Sequence, residues 1–467
     1  MTVGHDNGMW GSAMEHFDVI VIGGGLAGLC AAVEAGERGA GVLLLEKREE
    51  PGGSTVLSAG YMAFAGTDMQ QAAGIEDSAE KLAEDLIEVG GGVNDRQLVE
   101  AYGRHQLETY YWLKAKGVEF RGLHAASGHS VPRGHTVDPR QAVQTLYERI
   151  RELPNVEARF RSPARRLVRS GSGRVDQVLY ETGGGQRTAS AAKGILIASG
   201  GFSQSGELVN HFAPHLKKAL RIGGAGNHGD GLRMAWEHGA WVRDLPYLNG
   251  TYGLHPSASG AFLPMGMAYY KGAIIVNKLG KRFVNESISY KLLGNAALRQ
   301  PDAVTFQIWD QTVMDQSSSG DDLYDFELLK RRGLVYVTDT LDELADRIDV
   351  PKETLKETIR RYNENVKRGV DPDFGRITLS HRYGKPTPIE KPPFYAFESA
   401  VGLLATYAGI AVNALAQAVN PFGEPIPGLY AAGEVTGGFH GAAYMTGSSL
   451  GKASVFSRIA VRTMLDG

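Results

Sequence analysis

Cysteine is almost missing: Cys30 stands alone among 467 residues. One thiol forms no intramolecular disulfide, holds no cysteine-ligated iron–sulfur cluster and supplies no c-type haem attachment motif. It lies in the apolar stretch 29–33 and reads as a packed core thiol. Long apolar runs are missing too. No stretch approaches the roughly 18 uninterrupted apolar residues of a membrane span. Residues 1–15, rich in Gly, His and Asn, lack the charged start and apolar core of a secretory signal, so a flexible tail and a cytoplasmic location are expected. Net charge is small, −3, which gives no field to favour nucleic acid or an anionic membrane surface. The remainder is ordinary globular composition, 43% hydrophobic and 22% charged, with material for two or more domains.

Glycine, by contrast, is abundant: 61 residues, many in doublets and triplets between apolar runs. Such placement suits tight turns and close backbone approach to a ligand. Residues 17–22 read as a short apolar strand running into Gly23-Gly24-Gly25-Leu26-Ala27-Gly28. A helical stretch follows to about residue 38, then a second apolar strand, 41–45, ending in Glu46 and Lys47. This is a strand–turn–helix–strand unit with GxGxxG at its first turn and an acid closing the second strand, a dinucleotide fingerprint. Gly23 makes the tight turn, Gly25 admits a pyrophosphate to the backbone, and Gly28 lets the helix pack closely on the strand. Leu26 and Ala27 open the helix, whose free N–H groups and partial positive charge face the phosphates. Glu46 can accept hydrogen bonds from ribose hydroxyls.

Helical patterns are predicted at 78–116 and 139–153, a β-meander or hairpin at 156–182, and a buried strand at 194–199 ending in Gly200-Gly201. Gly229-Asp230-Gly231 opens a helix at 232–238. From 251 to 404 the texture changes to mixed strands and polar helices, including the charged run 341–368. It then returns to Rossmann-like texture at Pro427-Gly428-Leu429-Tyr430-Ala431-Ala432-Gly433-Glu434, and closes with a helix at 450–465. There is no internal repeat. The expected architecture is α/β: a discontinuous Rossmann-type domain over 16–250 and 405–467, with an α+β cap, 251–404, inserted in it.

The late return identifies the dinucleotide as FAD. It would set Glu434 against the ribityl chain and aim the helix starting near Ser449 and Leu450 at the N1–C2=O side of the flavin. A positive dipole end there stabilises the reduced anion. With no second GxGxxG unit and no other redox group, electrons must pass to or from the substrate, an external carrier (a quinone or a dye-like acceptor) or O2.

The stretches DVIVIGGGLAGLCAA, LLLEKREEPGGST, GDGLRMAWEHGA, LHPSAS, KGAIIVNKLGKRFVNE and IPGLYAAGEVTGGFHGA resemble, in order and spacing, the fumarate reductase/succinate dehydrogenase flavoprotein superfamily. The resemblance covers nearly the whole chain. It implies that Gly52, Gly53, Ser54, Ser58, Ala59 and Gly60 line the isoalloxazine and pyrophosphate, with Asp230 also on FAD. The histidine motif that carries FAD covalently in respiratory members is missing around Gly52-Gly53-Ser54-Thr55, so FAD is expected to be non-covalent.

Fumarate reductases grip two carboxylates and deliver a proton with arginines. Aligned on KGAIIVN, their acid arginine falls on Tyr269; aligned on FHGA, a clamp arginine falls on Tyr444; aligned on TYAGIAV, a substrate histidine falls on Ala405, with Leu404 beside it. A pocket stripped of cations is a poor host for a dicarboxylate. Tyrosines in those places resemble the 3-ketosteroid and cyclohexanone dehydrogenase branch, which desaturates ketones next to the carbonyl. On that resemblance Tyr444 and Thr446 form a Tyr-x-Thr pair, and Tyr269 or Tyr270 is a second catalytic phenol. Backbone N–H groups near Gly447 could assist an oxyanion. His255 matches a substrate-binding histidine, Tyr407 a pocket wall or catalyst, and His440 an orderer of the flavin loop. Lys281 and Arg282 would make structural ion pairs in the cap. Lys271, if it took the arginine's place, would restore a carboxylate substrate. Three readings follow: a ketone α,β-desaturase, an enoate reductase of fumarate or urocanate type running the other way, and a flavin-binding protein without turnover.

Overall fold

The computed structural model describes residues 14–259, 263–321, 323–379 and 384–467. Residues 1–13, most of the expected tail, lie outside the described residues.

Val19–Ile22 carry branched side chains buried on both faces, which places the strand Glu15–Ile22 at the centre of a sheet. It pairs in parallel with Val42–Leu45 on one side and Gly185–Ile197 on the other. Val156–Arg159 extends the sheet beyond Val42–Leu45, and Pro425–Ala431 extends it beyond Gly185–Ile197. The crossover helix Leu26–Glu37 is built, apart from Glu34 and Glu37, of Ala, Gly, Leu, Val and Cys30, and is buried along almost its whole length, with Glu34 paired to Arg458 at 3.0 Å. Ala164–Arg169, Val175–Thr182 and the first half of Gly185–Ile197 form a meander, whereas Val156–Arg159, expected within it, belongs to the parallel sheet.

Register decides where the site forms. Ile22 lies opposite Ile197, and Ile197 opposite Ala431. The loops after three parallel strands, beginning at Gly23, Ala198 and Ala432, therefore leave the sheet side by side at its carboxyl edge, where such sheets bind ligands.

The second sheet has six strands: Leu220–Arg221, Thr251–Leu254, Ile274–Asn277, Thr305–Asp310, Val335–Thr338 and, at its centre, Phe394–Leu403. Its first strand precedes residue 251 because Leu220–Arg221 adds in parallel to the end of Phe394–Leu403. The charged run resolves into helices Leu341–Arg347 and Lys352–Lys367. Leu355, Ile359 and Tyr362, at helical spacing, join Ile274, Val276 and Ile308 in a separate core, leaving the charges outward. Beneath it Arg282 is fully buried between Glu286 (2.6 Å) and Asp371 (3.0 Å), the ion pairing expected of it. Lys281 is exposed and makes no ion pair among the described residues.

Candidate active site

One cavity of about 600 Å³ runs from the dinucleotide turn to a cluster of tyrosines. At the first end its walls are backbone. Gly23 has φ +116°, and a Cβ there would sit 2.3 Å from the Ala198 carbonyl oxygen. A Cβ on Gly28 would come within 1.8 Å of the Gly23 oxygen, so no other residue lets helix and strand pack as they do. On Gly25 nothing lies closer than 3.7 Å: this glycine faces the open cavity, as a phosphate-approach position must. Glu46 is fixed at the strand end by N–H groups of Gly24 and Arg48, both at 2.7 Å, with lone pairs left for ribose hydroxyls. Lys47 and Asp230 meet across the rim at 2.5 Å.

Leu26, Ala27, Gly53, Ser54, Ser58 and Ala59 line this end as expected, and so does Gly200. Gly28, Gly52, Gly60 and Gly201 stand behind the wall and act through packing. A Cβ on Gly60 would strike the Val137 oxygen, and one on Gly201 would strike the Glu434 carboxylate.

Glu434 and Gly433 lie at the middle of the cavity with Ser449 and Leu450. The Glu434 carboxylate accepts from the Thr406 N–H (3.1 Å) and the Asn227 amide (3.2 Å), and burial raises its pKa. The helix Ser448–Asp466 begins behind Gly447, at φ +84°, one turn from these residues. Its 19 aligned peptides put a positive dipole end on the cavity. A glycine turn, a ribose-binding acid, a buried polar centre and a helix N-terminus in sequence along one cavity fit FAD, from adenosine to isoalloxazine.

The far end is built by side chains from three distant segments. Tyr444 and Tyr407 stack, centroids 4.7 Å apart and 5° from parallel, and Tyr290 meets Tyr444 edge-on at 6.0 Å. The Tyr444 oxygen accepts from the Gly447 N–H at 3.0 Å. Burial holds the Tyr444 phenol above its usual pKa, and the Gly447 N–H offsets part of that rise. The Gly447 N–H, expected near a substrate oxyanion, is thus given to a phenol. Tyr407 holds φ +48°, a strained backbone kept at a functional wall. Thr446 lines the cavity beside Tyr290 and Tyr444. His440 is buried against Tyr407 and Tyr444, bonds Ser448 at 3.2 Å, and is held neutral by burial, as an ordering group would be.

Tyr269, Tyr270 and His255 lie outside this wall. Tyr269 packs on Tyr252 in the cap, its hydroxyl without a hydrogen-bond partner among the described residues, while Arg376 grips its carbonyl at 2.6 Å. The Tyr270 hydroxyl is taken up by Ser127 (2.9 Å) and the Ile288 carbonyl (2.8 Å). His255 bonds Ser257 and packs against Phe397. Lys271 lies over the ring of Tyr324, also away from the cavity.

Sequence reasoning missed Tyr290, Lys291 and Thr251, all on the cavity wall. Tyr290 and Lys291 open the helix Tyr290–Leu298 behind the cap residue Ser289, whose hydroxyl accepts the Lys291 N–H. That Ser-Tyr-Lys start, directly after the buried ion pairs of Arg282, was the available signal. The Lys291 ammonium is buried and 2.5 Å from the Thr251 hydroxyl, and burial pulls its pKa down to about 7. The cavity is therefore not stripped of cations.

A family model described as FAD binding domain matches residues 18–450. The chain is 32% identical over 450 residues to a fumarate reductase (cytochrome) of Shewanella frigidimarina, covering 95% of this chain and 76% of that protein. It is likewise 32% identical over 455 residues to a urocanate reductase of Eggerthella lenta, covering 95% and 73%. Among solved structures, 3-ketosteroid-Δ4-(5α)-dehydrogenase from Rhodococcus jostii RHA1, in complex with 4-androstene-3,17-dione, superimposes with a TM-score of 0.78. Identity there is 25%, with 98% of each chain covered. No described helix is long and apolar enough to cross a membrane. On fold, cavity and kinship together, the chain belongs to the FAD-binding flavoproteins of the fumarate reductase family and is an FAD-dependent oxidoreductase.

Proposed function

We propose that this oxidoreductase dehydrogenates a cyclic or steroid-like ketone to the α,β-unsaturated ketone. The observation that carries the reading is the phenol pair Tyr444 and Tyr290 at the end of the flavin cavity. When bound, non-covalent FAD supplies a hydride acceptor for the substrate's β-hydrogen. The chain supplies the rest. Tyr444 acts as the base in its phenolate form, held by the Gly447 N–H at the helix N-terminus, and becomes a phenol as it takes the α-proton; burial raises its pKa, so this step should quicken towards alkaline pH. Tyr290 keeps its own proton, because burial pushes its pKa well above the usual phenol value. Its hydroxyl is left to donate to the ketone oxygen as charge develops there. Both electrons leave afterwards to an external acceptor: a quinone, a dye-like carrier or O2.

A second reading, reduction of an enoate, is favoured by the relatives and by one feature of the cavity, the Lys291 ammonium. The test is anaerobic. The yellow holoprotein is mixed with cyclohexanone, 4-oxocyclohexanecarboxylate and 3-ketosteroids while the flavin band is followed. Bleaching with an enone product supports the desaturase. No bleaching by any ketone, with dye-reduced protein reoxidised by fumarate or urocanate, overturns it in favour of the reductase. Either turnover removes the reading of a flavin carrier without chemistry.

A further inference from the structure

Two lysines are buried near the flavin cavity, and they differ in what they serve. Lys452, inside the helix Ser448–Asp466, donates to the Thr436 carbonyl at 3.0 Å and lies in the field of Asp244 and Glu434, behind the cavity wall. Its charge is absorbed by the protein. Lys291 is on the wall, 2% exposed, and its one hydrogen-bond partner among the described residues is the Thr251 hydroxyl. No carboxylate among the described residues lies within ion-pair distance of it; Glu434 reaches it only through its field. The rings of Tyr407 (5.0 Å), Tyr290 (5.6 Å) and Tyr444 (5.9 Å) surround it. An ammonium has three N–H donors, and a buried charge with donors unspent is costly unless a ligand completes it.

We infer that Lys291, with Thr251, anchors an anionic oxygen group of the substrate, so that the ketone taken up here also carries a carboxylate. The inference rests on the ketone reading for the rest of the molecule. It makes Lys291 a specificity-determining residue: a neutral ring would bury the ammonium against carbon, whereas a carboxylate pairs with it in the place where water cannot. An oxo acid built on a six-membered ring offers both a carbonyl to Tyr290 and a carboxylate to Lys291.

The experiment separates binding from turnover. Oxidised holoprotein is titrated with cyclohexanecarboxylate and with cyclohexylmethanol, its neutral counterpart, and flavin absorbance is followed. Neither probe bears a ketone, so the result stands whether or not the desaturase reading does. The expected result is at least about tenfold tighter binding of the carboxylate. That preference should fall to about twofold or less in Lys291→Met and persist in Lys291→Arg, with FAD content equal in all three. Equal affinities in the unaltered protein, or a preference that survives Lys291→Met, would overturn the inference. If Lys291 served Glu434 or the flavin instead, the Met variant would weaken both probes alike, which also overturns it.

Discussion

At the dinucleotide end of the cavity the wall is main chain, placed by Gly23, Gly25 and Gly28 and by the register of three parallel strands. At the substrate end it is side chain: Tyr290 and Lys291 from a helix of the cap, Thr251 from a cap strand, Tyr407 and Tyr444 from the return segment. The first end is held by contacts that any change of backbone shape would break, such as the 1.8 Å clearance at Gly28. The second is held by hydrogen bonds and ring packing, which a single atom can alter without moving the chain. Cofactor binding and substrate chemistry should therefore fail separately.

The largest expected effect is at Gly28. Gly28→Val forces the helix Leu26–Glu37 off the strand, and the purified protein should be colourless, read as the ratio of flavin to protein absorbance. Tyr444→Phe should break the other end alone: yellow protein, with flavin reduction by the ketone slowed about a hundredfold or more. Near-normal reduction would remove Tyr444 from the chemistry. Glu46→Ala lies between the two ends in kind but not in size. It should weaken FAD by about tenfold, measured by flavin fluorescence on dilution, with the turnover of saturated enzyme unchanged.

An effect on stability rather than on either end concerns His129, which bonds the Thr446 carbonyl at 2.8 Å and so ties the substrate end to the core. Burial lowers its pKa from 6.5 to about 3. Its folded pKa is depressed, so the unfolded chain takes the proton first, and stability falls as pH drops from 6.5 towards 3, by up to about 1.4 kcal/mol per pH unit. Urea unfolding at pH 7 and pH 4.5 should show a gap about 2 kcal/mol smaller in His129→Gln, which keeps a donor for Thr446 but does not titrate.

The same contrast explains what could be read from the chain. The dinucleotide end is local: turn, helix and acid lie within 24 residues, and each glycine's role follows from its neighbours. The meander, the late return strand and the helix at Ser448–Asp466 were legible for the same reason, as periodic runs bounded by glycine. The substrate end is an assembly of segments spread along the chain from Thr251 to Tyr444. Counting along KGAIIVN led to Tyr269, yet that short helical turn ends at Gly272 (φ +131°) and Arg376 fixes its backbone, so the ring goes into the cap. Tyr290 sits beyond the buried Arg282 network, and only the folded cap brings it to Tyr444.

On the proposed function, Tyr290 and not Tyr269 is the second phenol beside Tyr444. The direct measurement is the rate of anaerobic flavin reduction by the same ketone in Tyr290→Phe and Tyr269→Phe, each with its FAD content confirmed. Tyr290→Phe should fall by about tenfold to a hundredfold while Tyr269→Phe stays within about threefold of the unaltered protein. The reverse order would contradict the site described here and return the catalytic role to Tyr269.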